Sequence, residues 1–143
     1  MKTEAPIRIG QLAERLGVTS RTIRYYEQLG LLKPSSYTKG GERRYTEDDA
    51  ARLQRIRELQ ALMGFGLDEI RVILEAEDRL GKLREEYKAG SVKRRLEIVH
   101  EAMEINTRMR AQVESTIKRS KAFLRELEAK AARYKEVEEE LEG

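Results

Sequence analysis

"TSRTIRYYEQLGLLKP", residues 19–34, decides the fold of this chain. Thr19 is a good N-cap, because its hydroxyl can accept from an unsatisfied N–H of the first turn. Ile23, Tyr26 and Leu29 then recur at helical spacing. "GLLKP" breaks the pattern with a glycine and a proline. The apolar positions mark the inner face, which makes Tyr26 a packing residue. The outer face carries Arg21, Arg24 and Tyr25 in place of the usual mixture of both charges.

Upstream, "IRIGQLAERLGVTS" sets Ile9, Leu12, Ala13 and Leu16 on one helical face, and Gly17 ends that helix. Two short helices across a "GVT" turn form a helix-turn-helix. Downstream, "SSYTKGGERRYT" is a hairpin with Lys39, Gly40 and Gly41 at its tip, and Tyr45 is a packing residue. Thr46 opens a third helix, with Asp49 three residues on as a variant capping box. Its stripe is Leu53, Ile56, Leu59 and Met63, and Gly64 terminates it. "GFGLDEIRVILEAE" reads as a fourth, short helix. "DRLGKLREEYKAGS" reads as a connector with a helical piece, because Gly81 and Gly90 weaken its pattern.

From Ser91 to Glu142 the chain holds neither Pro nor Gly. These residues would extend about 78 Å as a helix at 1.5 Å per residue. Positions spaced alternately by three and four run from Val92 to Leu141 through Val99, Met103, Val113, Ile117, Leu124 and Leu127. Asn106, Arg110, Ser120 and Glu138 interrupt this seam. A second stripe of Ile98, Ala102, Ile105 and Met109 runs beside its first half. Such a helix cannot cover its own seam, so a dimerising coiled coil is expected, with the first half also packed on something else.

Of 143 residues, 38% are charged and 39% hydrophobic, which suits a small core joined to a solvated helix. The net charge is only +3, but it is uneven. Residues 1–46 hold nine Lys and Arg against four Asp and Glu, a net +5. There is no cysteine, which excludes disulfides, thiolate metal sites, iron–sulfur clusters and thiol sensing. His100 is the single histidine, and no cis partners at metal-ligand spacing accompany it. Met63, Met103 and Met109 could line a soft, adaptable pocket, but core packing is the preferred reading. No metal, cofactor or catalytic residue is expected. Without an apolar run of about 20 residues there is no membrane partner, and a cytoplasmic, nucleoid-associated protein is expected.

The second helix of a helix-turn-helix enters the major groove of DNA. Ser20, Arg21 and Thr22 stand at its start, where base edges are read. Arg21 can donate two hydrogen bonds to a guanine, and Thr22 can meet a thymine methyl or a phosphate. Arg24 and Tyr25, a turn later, reach flanking phosphates. Lys39, Arg43 and Arg44 in the hairpin add cations at a second point of the duplex.

"IGQLAERLGVTSRTIRYYEQLGLLKP", followed by "GGERRYTEDDAARLQRIRELQALMGFGLDEIRVIL", resembles the MerR family of bacterial transcription regulators over residues 7–77. The resemblance implies a mainly α protein. Residues 1–77 would be a winged helix-turn-helix DNA-binding domain, 78–90 a connector, and 91–143 a dimerisation helix forming an antiparallel coiled coil. It implies a homodimer on a pseudo-palindromic promoter site, distorted so that RNA polymerase can engage both promoter elements. Such distortion costs on the order of several kcal/mol. By position, Arg21, Thr22, Arg24 and Tyr25 become groove and phosphate contacts and Arg43 a wing contact. The N–H groups of Gly10 and Gln11 become phosphate donors.

The chain departs from the family pattern at Tyr37, where Arg is frequent, and at Glu42 and Gly66. Glu42 would be repelled by phosphate and is expected to point outward. Arg44 would replace the missing wing cation. The resemblance offers no signal: metal-sensing and redox-sensing relatives use cysteines, and drug-sensing ones add a C-terminal ligand domain where this chain shows only helix. A small-molecule effector and regulation by abundance both stay open. The rival functions are an architectural or excisionase-like DNA factor and a coiled-coil interaction module.

Overall fold

The computed structural model describes residues 6–143. The elements run β1 (Ile7–Arg8), α1 (Ile9–Leu16), α2 (Ser20–Gln28), β2 (Ser36–Tyr37), β3 (Arg43–Tyr45), α3 (Glu47–Met63), α4 (Leu67–Ala89) and α5 (Val92–Glu142). The chain divides between Asp78 and Arg79 into two compact units, with α4 contributing to both.

In the first unit, α1 packs on α2 and α3, and β3 packs on α1 and α3. Leu12, Ile23, Leu31, Tyr45, Leu53, Ile56 and Ile70 are fully buried. Each helix starts or stops where its chemistry demands. Gly17 and Gly64 close α1 and α3 in the left-handed conformation, at φ 67° and 62°, which glycine adopts without steric penalty. Thr46 accepts from the Asp49 N–H while the Asp49 carboxylate accepts from the Thr46 N–H, so the capping box forms with Asp as it does with Glu. The terminal carbonyls around the end of α2 are satisfied from outside. Arg52 Nε donates to Leu31 O at 2.6 Å, and Arg71 donates to Leu29 O.

The sheet is three-stranded and antiparallel in the order β1-β3-β2. Ile7 lies opposite Tyr45 and Arg8 opposite Arg44; Tyr37 lies opposite Arg43. The hairpin tip at Lys39, Gly40 and Gly41 is as expected, with Gly41 at φ 82° and Thr38 N–H donating to Glu42 O. β1 is additional. Two residues paired to a strand far along the chain leave no local signal.

α4 corrects the reading of a short helix followed by a connector. It runs unbroken for 23 residues through Gly81. The interior glycine costs about 1 kcal/mol of helix propensity. The burial of Leu83 two residues on offsets that cost.

The second unit holds the end of α4 and all of α5. Ser91 caps α5 by accepting from the Arg94 N–H at 3.1 Å. Arg95 donates to Tyr87 O and Lys88 O and lies 4.9 Å over the Tyr87 ring, which caps the end of α4. Arg79 forks onto Glu101 at 2.7 and 3.0 Å. Leu83, Ile98 and Ile105 are buried, so the second stripe is the covered one. The seam is not: Val99, Met103, Ile117, Leu124 and Leu127 are exposed and Val113 is half-buried. From Lys118 to Gly143 no side chain is buried.

Two outcomes follow. Nothing lies within 4 Å of a Cβ added at Gly81, so Gly81→Ala should stabilise by about 0.5–1 kcal/mol. Gly64→Ala should destabilise by about 1 kcal/mol, because an L-residue is strained at positive φ. Urea unfolding of the pair measures both signs. The hydrogen bond from Arg79 holds the Glu101 carboxyl below its ordinary value. The pairing therefore stabilises above the ordinary carboxylate range and is lost as pH falls through the lowered value. The difference in urea midpoint between wild type and Glu101→Gln should shrink toward acid pH.

Candidate nucleic-acid interface

Thr19 sets the start of α2. Its hydroxyl oxygen accepts from Thr22 N–H at 3.1 Å and lies 2.9 Å from the Thr22 hydroxyl. The Thr22 hydroxyl is thus shared with the cap, and its side chain is half-buried rather than fully presented. Ile23 and Tyr26 face inward, and the Tyr26 hydroxyl donates to Gln60 Oε1 at 2.9 Å. The opposite face follows from helical spacing. Arg21, Arg24 and Tyr25 stand at i, i+3 and i+4, all exposed, with Tyr25 half-exposed at 50%. Ser20 is half-buried at the helix start.

Beside this face lies an open cleft of about 710 Å³ that joins α1, α2 and the hairpin. Arg8, Gly10, Gln11, Arg24, Arg43 and Arg44 line it, with Ile9, Glu14, Gly41 and Glu42. The first turn of α1 carries no acidic residue, so its positive end is not neutralised. The Gln11 side chain accepts from Arg8 N–H at 3.0 Å and fixes that turn. Arg8 and Arg44 sit directly opposite each other across β1 and β3. Like charges in that relation repel, and an anion in the cleft would relieve the repulsion.

The structure therefore gathers Gly10, Gln11, Arg24, Arg43 and Arg44 around one cleft and sets Arg21 and Tyr25 along α2. Lys39 is exposed at the hairpin tip, outside the cleft lining. Two side chains differ from simple solvated cations. Arg44 is largely covered and donates to Glu42 at 3.1 Å and to Arg43 O at 2.9 Å. Glu42 is exposed, and it also tempers the nearest wing cation. Arg43 donates through Nε to Glu27 at 2.7 Å, which leaves the rest of its fork for another acceptor. The sequence reading missed Arg8, whose place depends on the long-range β1–β3 pairing. It also missed Glu27, whose partners lie 16 and 18 residues away.

Among the described residues, no group of three or more His, Cys, Asp or Glu could hold a metal ion. No helix among them is long and apolar enough to cross a membrane.

Comparison with known proteins agrees with this geometry. The family described as MerR HTH family regulatory protein matches residues 7–77. The HTH-type transcriptional regulator YfmP of Bacillus subtilis is 38% identical over 81 residues, covering 57% of this chain and 58% of that protein. The chain thus spans little more than half of that curated relative. The transcription regulator PbrR691 of Ralstonia metallidurans, solved in complex with lead(II), is 30% identical. That match covers 85% of this chain and 82% of that one, with a TM-score of 0.50. HiNmlR, a MerR family regulator lacking the sensor domain and solved bound to promoter DNA, shares the fold at 23% identity and a TM-score of 0.53, with 92% of each chain covered. These relatives are transcription regulators rather than enzymes. The winged head, the long terminal helix and an identity of 30% across most of both chains lead to one conclusion: this protein belongs to the MerR family.

Proposed function

We propose that the chain is a DNA-binding transcription regulator that acts as a homodimer on a pseudo-palindromic promoter site in the cytoplasm. The observation that carries this reading is the continuity of the exposed α2 face with the basic cleft. A duplex needs both: base edges for the start of α2, and phosphates for the cations and N–H groups that fix its register. Arg21 with Thr22 and Ser20 addresses bases. Arg24, Tyr25, Arg44 and the N–H groups of Gly10 and Gln11 address phosphates, and Lys39 reaches the backbone from the hairpin tip.

Dimerisation through α5 supplies the second half-site. Its apolar seam has no cover in the single chain. Leaving several large aliphatic side chains in water forfeits roughly 1.5–3 kcal/mol for each that a partner would bury. An antiparallel pair with a second copy covers Ile117, Leu124 and Leu127 and places two heads on one duplex. Distortion of that duplex is how such a dimer governs RNA polymerase.

Two variants test the reading. Arg21→Ala should cost about 1–3 kcal/mol on a duplex selected by the wild-type protein and relax base preference. Titration against the selected and a random duplex measures it, and equal loss on both would reassign Arg21 to phosphate. Replacing Leu124 and Leu127 with Glu should give monomers by sedimentation. An unchanged dimer would place the interface elsewhere.

A further inference from the structure

Glu27 is a carboxylate on the recognition helix, close to the face offered to a polyanion. As a surface charge it would only weaken binding. The structure gives it another task. Its side chain is 11% exposed, and its two oxygens are divided between two residues of β3. One accepts from Arg43 Nε at 2.7 Å, and the other accepts from the Tyr45 hydroxyl. Both side-chain bonds that join α2 to β3 among the described residues end on this one carboxylate. Backbone packing ties β3 more closely to α1 and α3 than to α2.

The partners are well suited to hold. The Tyr45 side chain is fully buried, so its ring cannot swing away. Burial, and then the bond to Glu27, pushes the phenol well above its ordinary value, so it stays a donor at any physiological pH. Arg43 is charged throughout, and its bond to Glu27 reinforces that. Charge-assisted bonds of this kind are about twice as strong as neutral ones and more directional.

We propose that Glu27 is a positioning residue that locks the wing to the recognition helix, so that α2 and the hairpin engage one duplex at a fixed spacing. It thereby sets preference for specific over random DNA. This rests on the DNA-binding reading above. Without Glu27, β3 keeps its packing on α1 and α3 but loses its direct tie to α2, and Arg43 becomes a mobile cation that any phosphate can take.

The expected sign differs from that of a repelling charge. Glu27→Ala should weaken binding to a duplex selected from a random library by the wild-type protein, by about tenfold or more. Binding to a random duplex of equal length should hold or rise. Its salt dependence should steepen by about one phosphate contact. Glu27→Gln, which keeps the size and drops the charge, should move the ratio the same way by less. It serves if Glu27→Ala does not fold. Tyr45→Phe, which leaves the Arg43 bond in place, should fall between wild type and Glu27→Ala. If both affinities rise together in Glu27→Gln, the carboxylate only repels and the proposal fails. If thermal stability drops while the ratio holds, the role is merely structural and the proposal also fails. Absence of duplex binding by the wild type would instead overturn the DNA-binding reading itself.

Discussion

Helix α2 has to serve two surfaces with nine residues, and the first unit is organised around that constraint. Ile23 and Tyr26 commit its inner face to the core. Thr19 fixes its first turn, and Arg52 and Arg71 satisfy carbonyls where it ends. Held at the start, the end and the back, the helix presents Arg21, Arg24 and Tyr25 from a rigid support. Rigidity matters because each mobile side chain or element that must be ordered on binding costs free energy.

Charge acts locally in this molecule. A net +3 on 143 residues would attract DNA weakly if spread evenly. The cleft concentrates four arginines beside the uncompensated start of α1. Two of these arginines are paired with acids, Glu42 in the cleft lining and Glu27 outside it. Glu42 covers Arg44, and Glu27 directs Arg43. On the proposed reading, charge tempered in this way would favour a duplex that fits over one that is merely negative.

Much of this was readable from the chain. Period and caps located the helices, because amphipathic spacing, Thr19, Thr46 with Asp49 and the left-handed glycines act within a few residues of themselves. The hairpin followed from Lys39, Gly40 and Gly41 for the same reason. What escaped was non-local. β1 exists only by pairing with β3, so Arg8 joined the cleft unannounced. Glu27 looks like a solvated charge until β3 is brought beside it. Gly81 suggested a break, yet propensity is a weak prior against the burial of Leu83 and the ion pair at Arg79. The seam of α5 was visible as a pattern, and the structure leaves it exposed in the single chain.

The central claim is that the basic cleft and the outer face of α2 form a binding surface for duplex DNA. Titration of the protein with a random-sequence duplex across a range of salt concentrations tests it most directly. The account predicts tight binding at low salt and a steep linear fall of log affinity with log salt, as several phosphate contacts release their counterions. Absence of duplex binding at low salt, or an affinity indifferent to salt, would contradict it.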